Sequence, residues 1–145
     1  MKAYTDLEQS KKLAEILPLE SADMWWAERY RGHTTKDYQF IVDDTPYYYL
    51  SLTKPSDGNY SLDTIKDIPC WSLAALLDVL PLGIYDELDY NDYELEINMI
   101  DKMPRYIRLG DISHSQFPWD FGKDTLIDNV VESIIWLNDN NYFEP

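Results

Sequence analysis

The apolar positions near the start of the chain follow a helical period and then meet a proline. Thr5 and Glu8 form a T-x-x-E capping box before the first apolar positions, and Leu13 and Leu17 lie on one side of the predicted helix. The pattern predicts a helix from this capping box to about Leu17. Pro18 ends it, because proline has no backbone N–H and restricts the residue before it.

Three runs of aromatic and β-branched residues follow, over residues 24–30, 38–42 and 47–52. Turn-like residues at 31–33 and 43–46 separate them, at lengths that suit hairpin connections. The runs therefore predict three antiparallel strands in a meander.

Two further helices and two strands are predicted in the rest of the chain. Residues 70–80 are apolar on nearly every side and lie between two prolines, which predicts a central core helix. Apolar and polar residues alternate over 93–99, which predicts a half-buried strand that residues 106–109 can pair with. Asp124 is a plausible N-cap for a last amphipathic helix that runs to Leu137.

The predicted elements follow the order α-β-β-β-α-β-β-α. Because short links between strands favour antiparallel pairing, this order predicts an α+β fold, with an antiparallel sheet of about five strands and three helices in a two-layer sandwich. A length of 145 residues suits a single domain spanning residues 1–145.

Charge narrows the classes of function. The chain has 12 Lys and Arg against 27 Asp and Glu, so its net charge is −15. Binding a phosphate backbone or an anionic membrane relies on Lys and Arg, so direct nucleic-acid binding and membrane binding are disfavoured, and a basic partner is favoured. No apolar stretch is long enough for a membrane span, which predicts a cytoplasmic protein.

The residues that could support catalysis form no recognisable motif. Cys70 is the single cysteine, and a buried small hydrophobe is a better interpretation of it than a nucleophile served by His33 or His114. The carboxylates of residues 86–96 could hold a divalent cation, but they lack the glycine and the spacing of a calcium loop. The sequence assigns no catalytic residue, no metal and no cofactor, and it leaves open whether the protein is an enzyme.

Three segments resemble a known group of proteins. They are the phrase W-S-L-A-A-L-L after Pro69 and Cys70, the N-terminal helix, and the closing D-x-x-x-D-x-x-x-E helix. Together they resemble small uncharacterised proteins of gut Bacteroidales genomes, their phages and their mobile elements. The resemblance implies a phage or mobile-element accessory protein and assigns no catalytic residue.

Aromatic and acidic residues are the candidates for binding. Consecutive residues of a strand point to opposite faces, so Trp25-Trp26 and Tyr47-Tyr48-Tyr49 must place rings on both sides of the sheet. Tyr and Trp are enriched at binding hot spots, and nearby carboxylates would steer a basic partner. The predicted binding residues are Trp25, Trp26, Tyr47, Tyr49, Asp86, Glu87, Asp89 and Asp92.

These observations favour a non-enzymatic acidic protein that binds another protein. In a sharper form of this hypothesis, it inhibits a basic host protein by presenting negative charge in place of the phosphates of nucleic acid. The alternatives are a hydrolase that uses a carboxylate pair or a divalent metal, a structural homodimer that covers its aromatic face, and a carbohydrate-binding protein that uses the same rings.

Overall fold

The computed structural model describes residues 2–53, 66–86, 91–108, 116–117 and 121–143. Within these residues the helices are α1 (Leu7–Ala14), α2 (Leu73–Val79) and α3 (Leu126–Asp139). The strands are β1 (Met24–Thr34), β2 (Phe40–Ser51), β3 (Lys66–Cys70), β4 (Gly83–Asp86), β5 (Asn91–Asn98), β6 (Met103–Arg108) and β7 (Gln116–Phe117). The chain divides into an N-terminal unit, Asp6–Trp71, and a C-terminal unit, Met1–Thr5 with Ser72–Pro145.

The α+β class with three helices is confirmed for the described residues. The prediction of one sheet of about five strands in a two-layer sandwich is wrong. The N-terminal unit holds a three-stranded sheet in the order β2-β1-β3, and the C-terminal unit holds a four-stranded sheet in the order β4-β5-β6-β7. The difference arises because residues 66–70 pair back onto β1 and complete the first sheet before the second begins. The single-domain interpretation stays a prediction.

The predicted three-stranded meander over residues 24–52 is one long hairpin. β1 and β2 pair in register from Trp25 opposite Ser51 to Thr34 opposite Phe40. The predicted turn at 43–46 lies inside β2, because β2 is an edge strand of the described sheet, where charged residues and proline are tolerated. The third strand is β3, which pairs with β1 only from Met24 to Glu28.

Helix α1 is capped one residue later than predicted. Asp6, not Thr5, is the N-cap, because its side chain accepts a hydrogen bond from the Gln9 backbone N–H (2.8 Å). The Gln9 side chain accepts from the Asp6 N–H in return (3.0 Å), which completes the capping box. Leu13 is fully buried on α1, and the helix contacts β3.

The predicted helix over residues 70–80 is shorter and less buried than expected. Cys70 ends β3, and α2 begins after Ser72, whose hydroxyl accepts from the Ala75 N–H (3.2 Å). Leu76 is fully buried, whereas Ala74 and Asp78 are exposed on one side of the helix. The helix therefore buries one face rather than forming an interior helix.

Helix α3 buries one face within the C-terminal unit. Its N-cap is Thr125 rather than Asp124, because the Thr125 hydroxyl accepts from the Asp128 N–H (3.2 Å). Asn129 is buried on the inner face, where its side chain donates to the Lys102 carbonyl (2.7 Å). The buried residues of α3 are Ile127, Asn129, Val130, Val131, Ser133, Ile134 and Leu137.

A Schellman motif ends α3. The Tyr142 N–H donates to the Leu137 carbonyl (2.9 Å), and the Asn141 N–H donates to the Asn138 carbonyl (3.1 Å). Asn141 takes the left-handed conformation that this motif needs, with φ 61°. The Tyr142 ring stacks on Trp136 with 5.5 Å between centroids, so the chain after the helix is held against it.

A buried tyrosine ties β6 to the segment before β4. Tyr106 is fully buried, and its hydroxyl donates to the Pro81 carbonyl (2.7 Å). Burial raises the pKa of Tyr106 above its ordinary value of 10.0, so the hydroxyl stays a donor across the physiological range. Strand β4, which follows Pro81, was not predicted from the sequence.

In the described residues no helix is both long and apolar enough to cross a membrane.

We expect Leu76→Ala to lower the free energy of unfolding by about 2–5 kcal/mol, because it removes a fully buried side chain from α2. Urea denaturation would measure the change. Leu82→Ala is the matched control, since Leu82 is exposed and should change stability by less than about 0.5 kcal/mol. A loss below about 1 kcal/mol for Leu76→Ala would contradict the packing of α2.

We expect acid to weaken the turn between β5 and β6. Arg105 forms an ion pair with Asp101, and its hydrogen bond holds the pKa of Asp101 below the ordinary 3.8. A carboxyl with a lowered folded pKa stabilises the protein above its unfolded pKa, and this stabilisation is lost as pH falls through the folded pKa. As the pH is lowered from about 5, the free energy of unfolding of Asp101→Asn should therefore fall by less than that of the parent. Urea denaturation at each pH would measure the two values. An equal fall in the free energy of unfolding with pH in the two proteins would count against the stabilising effect of the Asp101–Arg105 ion pair.

Candidate functional site

The four predicted aromatic binding residues all lie on the β1–β2 hairpin of the N-terminal unit. The register places Ala27 opposite Tyr49 and Arg29 opposite Tyr47, so Trp25, Tyr47 and Tyr49 share one face. Trp26 lies on the other face. The expectation that consecutive rings point to opposite faces is confirmed, and three of the four residues come together. Their role in binding stays a prediction.

We call Trp25, Arg29, Arg31, Tyr47 and Tyr49 the aromatic–arginine face. The Arg31 guanidinium lies 4.8 Å from the Tyr47 ring centroid, and the Arg29 guanidinium lies 5.8 Å from that of Tyr49. The two tyrosine centroids are 6.4 Å apart. Cation–π contacts of this kind hold the rings in place. Tyr47 and Tyr49 are still 37% and 41% exposed, so ordered rings are open to solvent.

Arg29 also connects this face to β3. Its guanidinium lies 3.3 Å from an Asp67 carboxylate oxygen and donates to the Glu28 carbonyl (2.7 Å). Both side chains of the Arg29–Asp67 pair are mostly buried. The guanidinium that contacts the Tyr49 ring is therefore held from two further directions, which fixes its position.

The opposite face of the hairpin holds a buried carboxylate. Glu28 is buried, and the Tyr30 hydroxyl donates to its Oε1 (3.1 Å). This hydrogen bond, followed by burial, raises the pKa of Tyr30. Burial, followed by the charge of Glu28, raises the pKa of Tyr48. Both hydroxyls stay protonated beside the carboxylate, so the middle of the hairpin is held by polar contacts on this face.

Beyond Glu28, β1 pairs with β2 alone among the residues that the structure describes. We call this two-stranded part, residues 29–34 and 40–47 with the turn between them, the ribbon. Several apolar side chains of the ribbon are in contact with water. The exposed apolar residues of the ribbon are Tyr38, Phe40, Ile41, Val42 and Tyr47.

Gly32 and Phe40 form a close contact across the ribbon. The Phe40 ring occupies the space beside Gly32, where an added Cβ would lie 2.1 Å from the ring. The ring covers backbone that carries no side chain, which stabilises a glycine within a strand. Phe40 is nevertheless 68% exposed, so its other face is open.

Tyr38 lies in the turn between β1 and β2, in an unfavourable conformation. Its φ is 61°, and its N–H donates to the Thr35 carbonyl (3.0 Å). The left-handed region costs a residue with a Cβ on the order of 1–2 kcal/mol, which glycine avoids. The Tyr38 ring is 92% exposed and gains almost no burial in return. Strain of this kind is a reason to look for a function of the side chain.

The sequence interpretation missed the residues at the tip of the hairpin. The run over residues 38–42 predicts the second strand of a meander, whereas Tyr38 lies in the turn and β2 begins at Phe40. The signal that could have found them is a tyrosine where the turn calls for glycine.

The acidic half of the predicted site belongs to the C-terminal unit. Asp92 is exposed on β5, opposite Tyr85 of β4. Asp86 ends β4, whereas Glu87 and Asp89 lie outside the described residues. Aromatic and acidic candidates therefore fall in different units.

The candidates for chemistry are dispersed among the described residues. Cys70 is fully buried, which confirms the small-hydrophobe interpretation, although it lies on β3 and not on a helix. His33 is exposed, 3.6 Å from a carboxylate oxygen of Asp43, and His114 lies outside the described residues. In the part of the chain that the structure describes, no three His, Cys, Asp or Glu residues form a group that could hold a metal ion.

Comparison of the chain with protein-family models, with curated proteins and with solved structures found no match. The class that the geometry defines is an α+β protein with an exposed aromatic hairpin. Its function is inferred from this hairpin and from the charge of the chain.

We expect Tyr38→Gly to raise the free energy of unfolding by about 0.5–1 kcal/mol, because glycine takes the left-handed conformation without a steric cost. Tyr38→Ala is the matched control, since it removes the ring but keeps the Cβ and should bring no such gain. Urea denaturation of the two variants would separate backbone strain from loss of the ring. Equal stability of Tyr38→Gly and Tyr38→Ala would contradict the strain.

Proposed function

We propose that this protein is a non-enzymatic binding protein that contacts another protein through the β1–β2 hairpin. The observation that carries the proposal is the ribbon, in which Tyr38 is 92% exposed and Phe40 is 68% exposed at the end of a paired hairpin. Clusters of exposed apolar side chains on a folded protein mark interaction sites. Aromatic rings supply most of the binding energy in such sites.

The two parts of the hairpin would have different tasks in binding. The ribbon presents exposed rings at a tip that can enter a groove of a partner. Because the backbone of the ribbon is already paired, little ordering of the chain is needed on association. The aromatic–arginine face lies nearer to β3 and offers Tyr47 and Tyr49 with guanidinium groups against them. It would flank the contact made by the tip.

The proposed partner is a protein with a basic surface. A net charge of −15 would steer such a partner toward this chain and repel acidic proteins. The finer proposal, a phage or mobile-element inhibitor that mimics nucleic acid, rests on this charge and on the resemblance stated above. The hydrolase and the structural homodimer remain alternative predictions.

A capture experiment with three forms of the full chain tests the proposal. The parent, the ribbon variant Tyr38→Gly with Phe40→Thr, and the control Leu82→Ser with Ile100→Ser would each be immobilised and exposed to bacterial lysate. The control removes two exposed apolar side chains outside the hairpin. We expect a partner to bind the parent and the control and to be lost, by at least about tenfold, from the ribbon variant.

Two results would contradict the proposal. One is capture of no protein by the parent at low and at moderate salt. The other is equal capture by the parent and the ribbon variant. Light scattering on the parent would show whether the hairpin instead holds two copies of this chain together.

A further inference from the structure

A second cleft lies in the C-terminal unit, around Tyr85 of β4. Two cavities of about 420 Å³ and 410 Å³ share Gly83, Ile84 and Tyr85 in their walls. Tyr142 and Phe143 line the first cavity, and Asp92 and Glu94 line the second. We call the two together the β4 cleft. Each has the size of a site for a small ligand or a side chain.

Pairing between β4 and β5 forms one wall of the cleft. Gly83 lies opposite Glu94, and Tyr85 lies opposite Asp92, so these four residues share one face of the sheet. Ile84 and the Tyr93 side chain are buried on the other face. The exposed face therefore presents one ring and two carboxylates within four residue positions.

Gly83 leaves the space in which a ligand could lie. A Cβ added there would meet only the Tyr93 carbonyl oxygen, at 3.2 Å, among the described atoms. The position opposite Glu94 thus has no side chain, and an open notch lies beside the Tyr85 ring. Tyr85 is 50% exposed, so its ring forms a side of the notch and not part of the core.

The end of α3 lines the first of the two cavities. The Schellman motif fixes the backbone at Asn141, and the Tyr142 ring stacks on Trp136. Phe143 follows directly and lines the same cavity as Tyr85.

The chemistry of the cleft suits a cation on an apolar stem. Aromatic rings attract Lys and Arg through their faces, and Asp92 and Glu94 supply two negative charges on the same side. The described residues that line the cleft include no Lys or Arg. β4 is also an edge strand of the described sheet, so an extended segment can lie along it.

We propose that the β4 cleft binds Lys or Arg side chains of an extended basic segment of a partner protein. The apolar part of the side chain would lie against Tyr85, and its charge would meet Asp92 and Glu94. This site is separate from the hairpin in sequence and in chemistry, so it can exist whether or not the hairpin binds a protein.

Binding of short peptides to the full chain tests the proposal. The probes are an acetylated, amidated hexapeptide that alternates Lys and Thr and its counterpart that alternates Glu and Thr, titrated by NMR and by calorimetry. We expect the basic peptide to shift backbone signals of residues 83–85 and 92–94, and the acidic peptide to leave them unchanged. Tyr85→Ala should weaken binding by about fivefold, since it removes a cation–π contact.

A matched pair of charge variants separates the cleft from net charge. Asp92→Asn with Glu94→Gln and Glu8→Gln with Glu15→Gln each remove two negative charges from exposed residues. The first variant should weaken binding by about fivefold or more, and the second by less than about twofold. Tyr85→Phe keeps the ring and should bind as the parent does, with circular dichroism confirming that each variant is folded.

The proposal is overturned if the basic peptide does not shift the signals of residues 83–85 and 92–94. It is also overturned if the two charge variants weaken binding equally, or if a neutral oligosaccharide shifts the same signals while the basic peptide does not. The hairpin proposal would be untouched by these results, because the cleft test uses no hairpin residue.

Discussion

In the N-terminal unit, the central strand β1 pairs with β2 over a longer described stretch than with β3. β2 pairs with β1 as far as Thr34, whereas β3 pairs with it only from Met24 to Glu28. Where three strands are present, Ala27 is fully buried. Along the ribbon, where the described partner of β1 is β2, Phe40, Ile41 and Val42 are exposed. The exposed apolar side chains of the hairpin therefore lie beyond the described pairing with β3.

Polar contacts satisfy the charged side chains at the point where the described pairing of β1 with β3 ends. Glu28 is buried at the last described pair between β1 and β3, and the Tyr30 hydroxyl on the same face donates a hydrogen bond to it. On the other face, Arg29 bonds to Asp67 and lies against the Tyr49 ring. A buried carboxylate and a guanidinium would each be costly without partners. With these partners, the Glu28 and Arg29 side chains are held in place, and the exposed rings of the ribbon extend from strands that are already paired.

Sequence patterns predicted the class of fold better than the position of its strands and turns. Aromatic runs predicted the hairpin, but Asp43–Pro46 suggested a turn because nothing in the sequence shows that this segment is an edge. The cap of α1 was wrong by one residue, since T-x-x-E at Thr5 and D-x-x-Q at Asp6 overlap. Tyr47 and Tyr49 could be assigned to a common face by alternation, whereas the left-handed Tyr38 depends on turn geometry that periodicity does not report.

Pro46 has a further effect on the outer side of the hairpin. It lies within the edge strand β2, near Asp43 and Asp44, and it offers no N–H to a neighbouring chain. Edge strands with proline and charge are poor templates for added strands, including those of identical molecules. The protein can therefore expose apolar aromatic rings to solvent at its hairpin tip with a low tendency to aggregate into intermolecular sheets.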